Sequence, residues 1–346
     1  MQTARSRPPA PFLLAVCAAI GVWTVVWTGT AAGDDAGAAF YRDKTVTVIV
    51  ATKPGGGYDT YGRLLARSMA KYLPGSTFTV RNVPGAGHII GANEVYAAKP
   101  DGLTIGTFNK GLIIAQITET RGIRFDMAKF EWLGVPDSEP RVWITAKQSP
   151  VKSFRDVLSG ARVVTVSSNG VGSEDYQDYV FLENIFGLRD LKVVTGYQGN
   201  DVDLALLRGE VDGKVGALSS VQPLIRNEGA RVILVIGRRP VADFPDAPVL
   251  AQTAPKGREA LVDIMISQAE LGHPFGAPPG VPADRLLALR RAFGQALADP
   301  DLRAVAAQAG LVINPLDAAE TTRLVTRATH PPADVAGLIR RVLGAK

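Results

Sequence analysis

The apolar positions of this chain fall into two alternating rhythms. Residues 45–52 (TVTVIVAT) are β-branched and nearly all apolar, the pattern of a strand covered on both faces. Residues 60–73 then place Tyr61, Leu64, Leu65, Ser68, Met69, Tyr72 and Leu73 on one helical face, and Pro74-Gly75 stops the helix. The alternation continues with a strand at 77–82, a Pro84-Gly85-Ala86-Gly87 corner, a helix to about Lys99, a turn at Pro100-Asp101-Gly102 and a strand at 103–108. The unit returns at 162–167 (RVVTVS), followed by a glycine- and serine-rich loop at 168–173 (SNGVGS). A helix at 174–186 comes next, with Tyr176, Tyr179, Val180 and Phe186 at apolar spacing and Gly187 as its stop. Further strands fit 192–197 and 231–236, and further helices fit 201–208, 284–298, 301–309 and 317–328. The pattern predicts an α/β protein with mixed, mostly parallel sheets in two lobes. Each lobe presents a strand–loop–helix corner to a shared cleft, and such corners are where open α/β sheets bind ligands.

The first residues stand apart from this pattern. Arg5 and Arg7 precede an apolar run at 12–27, and Thr30, Ala31, Ala32 and Gly33 follow it. This is the layout of a secretory signal peptide over residues 1–32, with a second small-residue cleavage site near Ala36–Ala39. The run is shorter than the roughly 20 residues of a membrane span, so cleavage is expected over a retained anchor. The chain's one cysteine, Cys17, lies inside the run behind Val16, which does not suit a lipoprotein signal. The mature, periplasmic chain then has no disulfide and no thiol chemistry. Net charge is +5 with no basic run or aromatic–basic interleaving, so nucleic acid is excluded as a partner.

Three readings compete for the triple glycine Gly55-Gly56-Gly57: a nucleotide loop, a cradle for another anion, or a plain turn. Glycines ahead of a helix let an anion approach free backbone N–H groups and the positive end of the helix dipole. No Gly-Lys-Ser/Thr follows, so a nucleotide P-loop is excluded. Gly85, Gly87 and Gly91 are off by one from a dinucleotide fingerprint and read better as a turn with close helix packing. Asp59 reads as the cap of a helix starting at Thr60, with a cleft role as the alternative. Ser173 is equally a helix cap or a ligand contact, and Tyr197 is a cleft wall or a core aromatic. Lys110 reads as a surface residue, with a cleft cation as the alternative, and Ser153 with Asp156 as a capping box. His88, His273 and His330 are scattered without metal-ligand spacing, and no Gly-x-Ser-x-Gly elbow appears, so neither a metal site nor a catalytic site is expected.

The segments KPGGGYDTYGRLLAR, VRNVPGAGHIIGANEVYAAKPDGLTIGT, SSNGVGS, VVTGYQG, LLRGEVDG and APPGVPADRLLALRRAFGQALADPDLR carry a resemblance. Over about 40–330, in order, they resemble the substrate-binding receptors of tripartite tricarboxylate transporters, also called the Bug family. The resemblance implies a two-lobe periplasmic-binding fold of the type II, Venus-flytrap kind, with lobe 1 at 40–145 plus 268–346 and lobe 2 at 146–267. It implies hinge crossings near 142–147 and 265–272, no cofactor, and a monomer that passes a small carboxylate to a two-subunit membrane permease. The ligand set implied is Gly55, Gly56, Gly57, Tyr58, Asp59, Gly85, Ala86, Asn109, Ser167, Ser168, Asn169, Gly170, Ser173 and Tyr197. Two departures from the family lie toward the ligand's distal end. Gly216 stands where many relatives carry an aspartate, and Glu174 and Asp175 add acids to the second-lobe loop. A solute sensor for a signalling partner would look alike, and an exported α/β hydrolase is the remaining alternative.

Processing is directly measurable. The intact mass of the exported protein should lack about 32 to 39 N-terminal residues, and a full-length product extracted from membranes would overturn the reading.

Overall fold

A computed structural model of the chain describes residues 37–343 apart from 56, 169–172 and 198–200. The expected contacts at Gly56, Asn169 and Gly170 therefore lie outside the described residues. Two sheets organise the fold. The first is six-stranded, in the order β11-β4-β10-β3-β1-β2, from β1 (Thr45–Val50), β2 (Thr77–Asn82), β3 (Thr104–Thr107), β4 (Glu131–Val135), β10 (Phe275–Ala277) and β11 (Leu316–Asp317). The second is five-stranded, in the order β7-β6-β8-β5-β9, from β5 (Arg141–Thr145), β6 (Val164–Ser168), β7 (Leu191–Thr195), β8 (Gly213–Ala217) and β9 (Arg231–Ile236). β1 pairs in parallel with β2 and β3, and β6 with β7 and β8. β5, the first strand of the second sheet, and β10, which re-enters the first sheet after a long excursion, pair antiparallel with their neighbours.

Helices follow the strands as the apolar spacing requires. α1 (Gly57–Tyr72) buries Tyr61, Leu65 and Met69, and α2 (Ile89–Tyr96) lies so close to β1 that a side chain on Gly91 would meet Ala51. α3 (Leu112–Ile117) follows β3, and α4 (Glu174–Phe186) follows β6 and ends at Gly187 in the left-handed conformation. The Ser153–Asp156 capping box is present: the Ser153 N–H donates to Asp156 at 2.9 Å.

The chain leaves the first sheet after β4 and enters the second at β5, so the first crossing occupies 136–140 rather than 142–147, and 141–145 is a strand of the second sheet. It returns through α5 (Glu259–Glu270) to β10. At that return Gly272 passes so near the first crossing that a Cβ would sit 1.8 Å from the Asp137 carbonyl oxygen. The two crossings are pinned there by Asp137, which accepts from the His273 backbone N–H at 2.9 Å and pairs with its Nδ1 at 2.6 Å.

Candidate ligand-binding cleft

The first glycine corner sits on this pin. α1 begins at Gly57, three residues earlier than expected, and Gly57 packs against the His273 ring. A Cβ there would lie 2.6 Å from Nε2. The Tyr58 and Tyr61 rings cover the same imidazole at centroid distances of 4.3 and 4.6 Å, and Tyr58 also meets His88 edge-on at 5.0 Å. Two of the three histidines that looked scattered in sequence, His88 and His273, thus meet at Tyr58. Among the described residues no group of three metal-ligating side chains forms.

Asp59 is not the cap of a helix starting at Thr60. Lying in the first turn of α1, its buried carboxylate reaches back to the loop, accepting from the Gly55 N–H (2.9 Å), Arg63 Nε (2.9 Å) and Asn82 Nδ2 (2.8 Å). Gly55 has φ +88°, a conformation glycine adopts without strain, so this carboxylate fixes a loop only glycine can form cheaply. Burial alone would raise the Asp59 pKa, but the Arg63 guanidinium and the Gly55 and Asn82 donors outweigh it and hold it at about 2.

The second corner of the first lobe, Gly85–His88, is strained. Ala86 and His88 both have positive φ (46° and 78°), as residues held at ligand clamps often do. A Cβ on Gly85 would lie 2.5 Å from Ile90 Cδ1. Burial, followed by the charge of His273, pushes the His88 imidazole down to about 4, so it is neutral at pH 7. Its Nδ1 is buried with no hydrogen-bond partner in the structure. Asn109 folds into a turn, accepting from the Gly111 N–H at 2.6 Å.

From the second lobe, α4 points its N-terminus at these loops. Ser173 occupies the N-cap position without a capping hydrogen bond. Its hydroxyl instead joins Ser168 Oγ at 3.1 Å and donates to Asp175. Ser167 is buried, and its Oγ finds no partner. Tyr197 lies beyond β7 and packs partly buried against the second-lobe core around Val142 and Leu206, the aromatic-core alternative.

Lys110 is a cleft cation, not a surface residue. Its side chain is 12% exposed, and Nζ lies 2.8 Å from Glu174 Oε1. Glu174 Oε2 lies 3.0 Å from Nη1 of the buried Arg141, whose Nε donates to Asp178 at 2.7 Å. Burial would raise the Glu174 pKa, but Arg141 and Lys110 together hold it low. At Asp178 burial wins over Arg141 and the pKa is raised. Two cavities flank this chain of charges. One of about 460 Å³ is walled by Ala86–His88, Asn109, Glu174 and Gln177, and one of about 430 Å³ by Arg141, Glu174, Asp175, Lys214 and Gly216. Gly55, Gly57, Tyr58 and Asp59 wall neither cavity; Tyr58 bears on the first through its contact with His88 and its hydrogen bond to the Lys110 backbone.

The clamp on the first loop makes a pH-dependent contribution. A carboxylate with a depressed folded-state pKa stabilises above its unfolded value of roughly 4 and loses that contribution as pH falls toward 2. Asp59→Asn should cost roughly 1–2 kcal/mol at pH 7, the half-exposed Arg63 being screened by solvent. The gap from the parent in denaturant titrations should narrow below about pH 4 and close only as pH falls through about 2. A constant gap across that range would contradict the assignment.

Comparison with known proteins agrees with the geometry. Residues 62–332 match the family described as the tripartite tricarboxylate transporter family receptor, TctC. A UPF0065 protein of Agrobacterium vitis is 26% identical over 265 residues, covering 75% of this chain and 73% of its own. A TctC solute-binding protein from Polaromonas superposes with a TM-score of 0.72 at 18% identity over 87% of this chain and 99% of that one. MatC from Rhodopseudomonas palustris, solved with bound malate, gives 0.58 at 24% identity over 86% and 99%. The two-sheet periplasmic-binding fold is shared with both structures, and the chain belongs to the tripartite tricarboxylate transporter receptor family, a family of solute-binding receptors rather than enzymes.

Proposed function

We propose that this receptor captures a small carboxylate between its lobes and delivers it to a two-part membrane permease of the tripartite tricarboxylate type. The lobes are 40–135 with 275–343 and 141–236, swinging about the crossings at 136–140 and 237–274. The observation that carries the reading is the larger cavity, whose walls come from a corner of each sheet: Ala86–His88 and Asn109 from one, the start of α4 from the other. What faces it suits an oxyanion. The backbone at Gly85–His88 is held at positive φ, the imidazole of His88 is neutral, and a 13-residue helix starts opposite. A malate-bound relative of the same fold supports a carboxylate as the ligand. In this reading the N-terminal segment is removed on export, leaving a monomer without cofactor or metal. No helix among the described residues is long and apolar enough to cross a membrane.

A thermal-shift screen of mono-, di- and tricarboxylates on the mature protein tests this. A ligand at a hundred times its Kd stabilises by about 2.7 kcal/mol, a rise of about 5 °C or more for a protein of this size. At least one carboxylate should produce it and be recovered unchanged. Stabilisation by neutral sugars alone, with every carboxylate silent, would overturn the proposal.

A further inference from the structure

The chain of charges across the cleft has a consequence for what the site accepts, given that it binds a carboxylate at all. Glu174 stands in the wall shared by the two cavities. Its two oxygens take one cation from each side, Lys110 at 2.8 Å from the first lobe and Arg141 at 3.0 Å from the second. Arg141 is engaged again by Asp178, and Lys214, the other cation of the smaller cavity, is paired with Asp203. Asp175 lines that cavity too, while Gly216 adds no side chain of its own. Among the described residues, Lys110, Arg141 and Lys214 are therefore each already matched by a carboxylate of the protein.

We propose that Glu174 is a built-in carboxylate that occupies the place of a ligand's second acid group, so that the receptor selects monocarboxylates with an uncharged or cationic distal end and rejects dicarboxylates. A ligand carboxylate held at the Gly85–His88 corner leaves the rest of the molecule facing Glu174. An amide or ammonium there donates to the Glu174 oxygens. A second carboxylate has no free cation to meet and must displace Glu174 from Lys110 and Arg141, leaving like charges close together in a partly desolvated site. The Glu174 side chain stays 40% exposed while paired, although its Oε1 is buried.

Isosteric pairs isolate this effect: succinate against succinamate and adipate against adipamate, each differing only in the charge at one end. By calorimetry the wild type should bind the monoamide about tenfold or more tighter than the diacid in the pair that fits the cavity, the range expected for one charge-assisted hydrogen bond. Glu174→Gln keeps shape and fold but frees Lys110 and Arg141, and it should shift the ratio by about tenfold or more toward the diacid. A wild type that prefers the diacid, or a folded Glu174→Gln with an unchanged ratio, would overturn this inference while leaving carboxylate capture intact. If neither pair binds, the same comparison is made with the carboxylate found by the thermal-shift screen and its monoamide. If no carboxylate binds at all, the capture of a carboxylate fails first and this selectivity fails with it. The thermal midpoint of Glu174→Gln, expected to stay near the parent's, separates a change in selectivity from a loss of structure.

Discussion

The pairing of Asp137 with His273 is the contact on which the cleft depends. It joins the two crossings between the sheets, and the glycine at 272 exists because the crossings approach too closely for any side chain. The imidazole it orients is the floor under Gly57, Tyr58 and Tyr61, and Tyr61 carries on to donate to the Val312 carbonyl at 2.7 Å. The position of the first glycine loop is thereby tied to the geometry of the hinge. Any rotation of the lobes that moves 136–140 against 272–274 moves the ring beneath that loop. In a receptor that closes on its solute, this couples the loop backbone to closure without a separate signalling element.

The second organising feature is electrostatic. Arg141 is buried, and a buried guanidinium persists only with partners. Asp178 and Glu174 supply them, and Lys110 brings the first lobe into the same network. The ion pair from Lys110 to Glu174 runs from one lobe to the other. Burial disfavours the charged form of both acids; Arg141 and Lys110 hold Glu174 low, while at Asp178 burial and the charge of Glu174 prevail and raise it.

Much of the fold was legible in the sequence. β1, β2, β6 and β9 are runs rich in β-branched residues, and α1, α4 and the helices at Ala283–Ala298 and Ala318–Thr329 have the apolar spacing that predicts them. β4, β5, β8 and β10 escaped because three to five residues, three of the four runs broken by glycine, carry too little pattern. α5 escaped because it is buried nearly all round and lacks a polar face to set its period. Of the site, the glycine corners were readable because glycine before a helix has a local cause. Lys110, Asp137 and His273 were not, since each owes its role to a partner far along the chain: Glu174 for the first, and each other for the last two. The misreading of Asp59 has the same origin. Its carboxylate is held by Asn82, a partner 23 residues along the chain, and the helix already runs from Gly57, packed against a ring from residue 273.

The central claim is that one small carboxylate is held jointly by corners of both sheets. Amide NMR on the mature protein tests it most directly, using the carboxylate that stabilises the protein most. The account predicts that the backbone amides of Tyr58, Ala86–His88, Lys110–Gly111 and Ser173–Glu174 shift together and saturate at a single Kd. Shifts confined to one lobe, or centred on the separate cavity beside Arg290 and Leu316, would contradict it.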